Sequence, residues 1–515
     1  MGGKKMEIEK KSINVVKTVY EGDVKSSAEG SIIVPDAKPD ILKVSEVTAE
    51  AYLLEKQIED GKITLKGKVR INILYIPEGD SKKLESINGT LEFCETLKRS
   101  EFKEDMTLCA FCDVEKVMYK VLNSRKIGIE TKILIGVSVF TNENKEMVSD
   151  VLSESAQIKN KELTMTGAQQ YDEFSFCVDE EIDFPKGKKA VKLLKADMSM
   201  LSKENRALDG KFVVKGALGL AILYSDEEGK YNHLDCEIPF TEVFDVAGLS
   251  EGEECEVSYE IGETAYELIN SAEDTSGLKV RADVTMGIKR DEKENISVIS
   301  DCYFTDADCD FSYEDIKIQS VASQIKFSQV LKQLLSKEEN APDIASVYRV
   351  QAKPFITASK IQNGKLDVSG KVLIYVLYLT DDEENPIASI KEEVPFNYVI
   401  DCDGNISEDN KIMLGVECEH ISYIVNSKDS VEVRCGLTIS GKIINISDEN
   451  IISDIQAEPR ENEKNGIVVY FVKEGDSLWD IAKHYRIKTD KIIESNNLDS
   501  EYSPSCGEKL IIPLS

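Results

Sequence analysis

Three stretches of 16 residues alternate apolar and polar positions: DGKITLKGKVRINILY (60–75), DGKFVVKGALGLAILY (209–224) and NGKLDVSGKVLIYVLY (363–378). An apolar residue at every second position is the period of a β-strand with one buried face. The predicted inward residues are Ile63, Leu65, Val69, Ile71, Ile73 and Tyr75, then Phe212, Val214, Leu218, Leu220, Ile222 and Tyr224, then Leu366, Val368, Val372, Ile374, Val376 and Tyr378. The opposite face of the first copy, alternate residues from Lys62 to Asn72, is predicted to be solvated.

Two glycines recur in each copy. The opening dipeptide is Asp-Gly or Asn-Gly, a tight-turn signal, so each long strand is predicted to leave a hairpin. A second glycine follows six residues later and falls on the inward face: Gly67, Gly216 and Gly370. A glycine there contributes no side chain, which indicates a bulge, a bend or the close approach of another backbone.

The copies begin 149 and 154 residues apart, which is a period of domain size. Further β-rich runs separated by turn signals surround each copy. The fold class is therefore predicted to be mainly β, with three tandem sandwich-like or barrel-like domains and a small α+β domain at the end. The predicted divisions are 1–158, 159–335 and 336–457 for the β-domains, 458–466 for a charged linker and 467–515 for the last domain.

Two short motifs accompany the repeat. Pro-Asp-Ile opens the first and third copies, at 39–41 and 342–344, whereas the second copy has Pro-Lys-Gly at 185–187. Asn-Ser follows each opening glycine by 60 to 62 residues, at 123–124, 270–271 and 426–427. Each Asn-Ser is a polar break between β-rich runs, so a turn is predicted there.

The last domain has the order strand, helix, helix, strand. A short strand at Tyr470–Val472 precedes SLWDIAKHY, whose apolar residues have the spacing of a helix. Lys509–Ile512 is the predicted returning strand. The predicted helix caps and stops are Ser477 with Asp480 for the first helix, and Thr489 and Asn496-Asn497 for the second.

This segment resembles the LysM module. The matching residues are Tyr470, Val472, Gly475, Asp476, Ser477, Leu478, Ile481, Ala482, Asn496, Asn497, Leu498, Gly507, Leu510, Ile512 and Pro513. The resemblance implies a shallow groove for N-acetylglucosamine polymers, lined by Gly475, Asp476, Ser477, Leu478, Trp479, Asn497, Leu498 and Ile511. For Gly475 and Asp476 a purely structural turn is the alternative. For Leu478 it is a core position, and Trp479 suits either the core or a contact with sugar or protein.

The composition and charge of the chain limit the classes of partner that it could bind. The net charge of −32 argues against direct binding to nucleic acid or anionic lipid. The first 17 residues lack the apolar core of a secretory signal, and no run of residues is apolar enough to span a membrane. We therefore expect a cytoplasmic protein with no transmembrane segment, whose 12 cysteines stay reduced.

The sequence does not predict an active site or a metal site. The three histidines of the chain lie far apart in sequence. Cys418 and His420 lie two residues apart on a predicted strand but lack a third group that would orient a base. Cys109 and Cys112 have the spacing of a zinc site without a second pair of ligands. We therefore expect no catalytic residue, no cofactor and no metal.

Three long repeats followed by one LysM module resemble the clostridial spore-coat morphogenesis proteins that carry SPOCS domains and a terminal LysM domain, the SipL-like proteins. The resemblance implies a non-enzymatic role in the mother cell, where such proteins help attach the coat around the forespore. The implied partner is the coat's morphogenetic ATPase, of the stage IV sporulation protein A type, with other coat proteins beside it. Since peptidoglycan lies beyond the cytoplasmic membrane, a chain without a signal favours a protein as the LysM ligand. The alternative is anchoring to cortex or wall peptidoglycan through N-acetylglucosamine.

Overall fold

The computed structural model describes residues 7–79, 83–185, 189–270, 276–460, 466–499 and 502–514. Within these ranges the strands before residue 460 form three units of six strands each. The first unit has β1 (Glu7–Ile33), β2 (Ile41–Glu59), β3 (Lys62–Pro77), β4 (Glu85–Lys98), β5 (Thr107–Asn123) and β6 (Lys126–Leu152). The second has β7 (Ala156–Asp183), β8 (Lys192–Leu208), β9 (Lys211–Ser225), β10 (Tyr231–Asp245), β11 (Cys255–Asn270) and β12 (Ser276–Phe304). The third has β13 (Ala307–Ser336), β14 (Ser346–Gln362), β15 (Lys365–Leu379), β16 (Ile387–Asp401), β17 (Lys411–Ser427) and β18 (Ser430–Pro459).

Each unit is a sandwich of two three-stranded antiparallel sheets. The inner sheets have the orders β2-β3-β4, β8-β9-β10 and β14-β15-β16. The outer sheets have the orders β1-β6-β5, β7-β12-β11 and β13-β18-β17. One apolar core fills the space between the two sheets of each unit. The predicted mainly-β, sandwich-like fold is therefore confirmed.

The three 16-residue repeats form the central strands β3, β9 and β15. All the inward residues predicted for these strands are at most 1% exposed. The opening glycines form the predicted hairpin turns, with φ of 81° at Gly61, 69° at Gly210 and 72° at Gly364. A left-handed φ is the conformation that glycine adopts without steric cost, which explains the residue type at the turn.

The predicted close approach at the second glycine is also confirmed. A Cβ atom at Gly67 would lie 2.3 Å from the Phe93 ring and 2.5 Å from the carbonyl oxygen of Tyr52. In the third unit, a Cβ atom at Gly370 would meet the Phe396 ring at 2.2 Å and a backbone oxygen at 2.5 Å. The strand paired with each glycine shifts register at that point, so the bulge lies in the neighbouring strand.

The outer face of β3 is only partly solvated, contrary to the prediction. Arg70 donates to the carbonyl oxygen of Gly262 at 2.9 Å, and Asn72 donates to that of Leu194 at 3.2 Å. Both acceptors belong to the second unit. The polar face predicted to meet water therefore makes contacts between units, which local alternation does not reveal.

The Pro-Asp-Ile and Asn-Ser motifs meet in space in the first unit. Asp40 accepts hydrogen bonds from Ser124 Oγ and from the guanidinium of Arg125, at the turn between β5 and β6. Tyr75, the last residue of the repeat, donates to the carbonyl oxygen of Pro39 at 2.9 Å. These bonds tie the inner sheet to the outer one. The third unit repeats the tyrosine bond; Lys186 and Gly187 of copy two, and Ser271, lie outside the described residues.

The first and last strands of each unit extend beyond its sandwich as a two-stranded arm. The arms comprise residues 7–17 with 141–152, 156–169 with 291–304, and 307–320 with 445–459. Because β13 pairs with β18 along its whole length, the strand pairing assigns β13 to the third unit. The division predicted at 335/336 would remove β13 from its sheet, and 159–162, predicted as a separator, lies within β7. We accordingly place the units at 7–152, 156–304 and 307–459.

The three units meet at three apolar clusters, one of which lies near the ends of the arms and consists of Val148, Val151, Ile299, Cys302, Phe304, Ile452 and Ile455. The arm cluster takes three residues from each unit: Ile13, Val15 and Met147; Met165, Ile296 and Val298; Ile316, Ile318 and Ile451. The junction cluster lies between the inner sheets and consists of Leu74, Leu84, Leu194, Ala221, Leu223, Tyr348, Leu377, Leu379 and Ile387. Since all three units contribute to each of the three clusters, they form a closed ring and not a row of separate domains.

Candidate functional site

The C-terminal domain has the predicted order of elements. It consists of β19 (Ile467–Phe471), α1 (Leu478–Tyr485), α2 (Thr489–Asn496) and β20 (Lys509–Pro513), with the two strands paired antiparallel. Ser477 caps α1 as predicted, since its Oγ accepts from the backbone N–H of Asp480 at 3.1 Å. The prediction that Thr489 caps α2 is wrong. Lys488 occupies the cap position and Thr489 is the first helical residue.

The turn between β19 and α1 forms one predicted groove wall. Gly475 is exposed and has a φ of 88°, so the turn requires a left-handed residue there. The carboxylate of Asp476 accepts from Tyr470 Oη at 2.7 Å and from the N–H of Lys473 at 2.8 Å. The hydrogen bond from Tyr470 lowers the pKa of Asp476, and the same bond raises the pKa of Tyr470 to about 12. Asp476 therefore fixes the turn.

The loop after α2 and the strand β20 form the opposite wall. Asn497 is exposed and adopts a left-handed conformation, with a φ of 52°, that ends α2 as predicted. Asn496 joins this loop to β20, since its side chain donates to the carbonyl oxygen of Ile511 and accepts from its N–H, both at 2.7 Å. Ile511 is 39% exposed and Leu498 is half-buried. Asn496 is not among the groove residues predicted from the sequence, although the pair Asn496-Asn497 at the end of α2 was a signal that could have identified it.

Two of the predicted groove residues lie elsewhere in the domain. Leu478 is 7% exposed and belongs to the LysM core. Trp479 faces the second unit, where its Nε1 donates to Asp301 at 2.7 Å and its ring packs edge-on against Tyr303 with centroids 5.0 Å apart. Trp479 was predicted to suit either the core or a contact with sugar or protein. In the structure it contacts another part of the same chain.

The thiols of Cys418, Cys109 and Cys112 all have raised pKa values. Cys418 Sγ donates to the backbone carbonyl of His420 at 3.6 Å, and a hydrogen bond with Cys435 together with burial raises its pKa, so the reactive thiolate is disfavoured. Burial raises the pKa of Cys109 to about 11, and the Cys112 thiol donates to Glu260 of the second unit at 3.6 Å. Among the described residues, no three His, Cys, Asp or Glu side chains are grouped as a metal would need.

The described part of the chain contains no helix that is both long and apolar enough to cross a membrane. Residues 467–515 carry 6 basic and 8 acidic side chains, so nearly all of the net charge of −32 belongs to residues 1–466. The LysM domain is therefore nearly neutral and is carried by a strongly acidic array of β-units.

Comparison with protein-family models finds the SPOCS domain of SipL three times, at residues 40–122, 189–269 and 343–426, and the LysM domain at 470–513. No curated protein and no solved structure matches the chain. Each SPOCS match spans the inner sheet and the fifth strand of one unit, and the two long arm strands of that unit lie outside it.

Both domain types are non-catalytic binding modules, and LysM is a peptidoglycan-binding type of module. Their combination indicates a protein related to sporulation and the spore coat. The chain belongs to the SipL-type proteins, in which SPOCS repeats are followed by a C-terminal LysM domain.

Proposed function

We propose that this protein is a non-enzymatic adaptor of spore-coat assembly that binds the coat's morphogenetic ATPase through its LysM groove. It would act in the mother-cell cytoplasm, at the forespore surface, with the SPOCS array contacting other coat proteins. The observation that carries the proposal is a pre-organised groove mounted on a closed ring of β-units. Both groove walls are held by their own side-chain hydrogen bonds, so little ordering is needed when a partner binds.

The charge distribution supports a protein partner for the array. An acidic surface repels nucleic acid and anionic lipid, and it favours basic protein surfaces. Three similar units in one rigid chain also place several weak contacts at high effective concentration.

Peptidoglycan binding is the second candidate, because the LysM motif residues are retained at both walls of the groove. In that case the apolar Ile511 and the exposed Asn497 would contact N-acetylglucosamine, and the protein would be anchored to cortex or wall. The two candidates use the same residues but different ligands, so one set of variants separates them.

The experiment compares the full chain with the variants Asn497→Gly and Ile511→Gln. Glycine keeps the left-handed conformation at 497 and removes only the amide, while residue 511 is exposed enough to accept glutamine. Glu494→Gln, on the exposed side of α2, is the matched control. The adaptor proposal predicts that both groove variants lose capture of the purified ATPase while the control retains it.

Release of the same variants from purified peptidoglycan, with capture of the ATPase unchanged, would instead support the glycan candidate. Leu478 is unsuitable for this test. It belongs to the core, so its substitution would unfold the domain.

A further inference from the structure

The LysM domain is docked on the arms of the second and third units through one face of α1. Trp479, Lys483 and Arg486 have the spacing i, i+4 and i+7, which places them on one side of a helix. Lys483 Nζ donates to Asp301 at 2.6 Å, alongside the indole N–H of Trp479. Arg486, the residue that ends α1, forms an ion pair with Asp308 at the start of β13.

Tyr303 extends from the second unit into the LysM core. Its side chain is 4% exposed and belongs to the same apolar cluster as Leu478, Ile481 and Ile492. Its hydroxyl donates to the carbonyl oxygen of Ile487, just after α1, at 2.8 Å. A residue of the SPOCS array thus completes the packing of the LysM domain.

The acceptor Asp301 is held in its charged form. Partial burial by itself would raise its pKa, but hydrogen bonds from Lys483 and Trp479 outweigh burial, and the pKa is lowered. A charged carboxylate that satisfies an ammonium and an indole N–H together makes stronger hydrogen bonds than a neutral acceptor would.

We propose that these contacts form a latch that fixes the orientation of the LysM domain on the SPOCS ring, with Trp479 as a latch residue and not a groove residue. Domains joined by a short polar linker move independently unless an interface holds them. Here the face of α1 is used for the interface, while Gly475, Asn497 and Ile511 of the groove remain exposed. The latch therefore presents the groove and the array to one partner as a single surface. This goes beyond the proposed function, since it holds for either ligand.

Trp479 is the only tryptophan of the chain, so intrinsic fluorescence of the full-length protein reports the latch directly. We expect blue-shifted emission that acrylamide quenches weakly. In Asp301→Ala the emission moves to the red and quenching increases, because the indole loses its acceptor and the domain undocks. Lys483→Ala, which breaks the latch from the LysM side, is expected to do the same.

Asp310→Ala is the matched control, since it removes the same charge from an exposed position on β13 outside the latch. Circular dichroism establishes that every variant keeps its fold. The latch proposal is contradicted if Trp479 is already fully accessible to acrylamide in the unaltered chain. It is also contradicted if both latch variants show the same emission and quenching as the control. It is also overturned if chitooligosaccharide protects Trp479 from quenching, because the indole would then lie in the groove.

Discussion

Gly67 and Gly370 illustrate how single residues specify the SPOCS units. Each lies on the buried face of a central strand, where a phenylalanine ring and a backbone oxygen from the two neighbouring strands occupy the space of a side chain. The repeat therefore retains glycine for packing, in addition to the turn glycine that opens it.

Gly67→Ala is expected to lower the free energy of unfolding by about 1–3 kcal/mol, because the added methyl forces Phe93 and the β2 backbone apart. Urea denaturation measures the change. Gly415→Ala is the control, since a Cβ atom there would meet only one backbone oxygen at 4.0 Å. Equal effects of the two substitutions would contradict the packing explanation.

A buried ion pair of the second unit forms hydrogen bonds to both of the other units. Lys195 and Asp197 of the second unit lie 2.7 Å apart. Lys195 also donates to Thr48 of the first unit at 2.6 Å, and Tyr348 of the third donates to Asp197 at 3.0 Å. Burial alone would raise the pKa of Asp197, but the charges of Lys195 and Arg349 outweigh it, so the pKa is lowered.

Asp197→Ala is expected to destabilise the chain by about 3–5 kcal/mol, because Lys195 is left buried without its ion-pair partner. The double variant Asp197→Leu with Lys195→Met should recover most of that loss. Since the folded-state pKa of Asp197 lies below its unfolded value, the pair stabilises the fold above about pH 4, and this contribution is lost as pH falls through the folded pKa. Urea midpoints measured from pH 7 down to pH 3 would test this, and a pH profile that Asp197→Ala leaves unchanged would refute it.

Among the elements, the central strands and the LysM helices could be predicted from sequence, whereas the arms could not. Period-two alternation in β3, β9 and β15 reports a local environment that each strand carries in its own residues. The first strand of each unit carries no repeat motif, and the residues of β18 that pair with β13 lie 94 to 152 residues later in the chain, from Ser336 with Ser430 to Ala307 with Pro459. The division at 335/336 failed for that reason.

In the candidate site, too, local features could be predicted from the sequence and contacts between distant residues could not. The turn at Gly475 and the stop at Asn497 are local and could be predicted. The environment of Trp479 could not, because its partner Asp301 lies 178 residues earlier in the chain.

The assignment of β13 to the third unit predicts how fragments behave. Fragment 305–460 should fold, whereas fragment 336–460 should not, since it lacks the core residues Ile325, Leu331 and Leu335 and leaves β18 unpaired along one edge. Amide hydrogen exchange over residues 431–439 gives the readout. Strong protection in both fragments would show that β13 is dispensable and that the boundary belongs near 335.

At the scale of the whole molecule, ion pairs join each unit to the other two, and three of them lie between neighbouring sandwiches. Lys56 meets Glu173 at 2.5 Å between the first and second units, and Lys203 meets Glu417 at 2.5 Å between the second and third. Lys353 meets Asp113 at 2.8 Å between the third and first units. Of these three, only the last joins units that are not consecutive in sequence. Lys145 with Glu314 in the arms is another such pair, and contacts of this kind distinguish a ring from a row.

A zero-length carbodiimide reagent, which joins carboxylates to amines already in contact, should produce all three cross-links within one chain. Peptide mass spectrometry would identify them. Lys360, exposed on the same strand as Lys353 and paired with Asp367 within its own unit, is an internal control for reactivity. Recovery of the first two cross-links without any link between the first and third units, neither Lys353 to Asp113 nor Lys145 to Glu314, would mean that the ring is open in solution.

The central claim is that an acidic ring of SPOCS units presents a LysM groove to a protein. The most direct test is a calorimetric titration of the full chain against the purified coat-morphogenetic ATPase and, in parallel, against chitooligosaccharide, each at low and high salt. We predict saturable binding to the ATPase at both salt concentrations, weaker at high salt because the array carries the charge, and no binding to the sugar. Binding to chitooligosaccharide alone would contradict this account and make peptidoglycan the ligand of the groove.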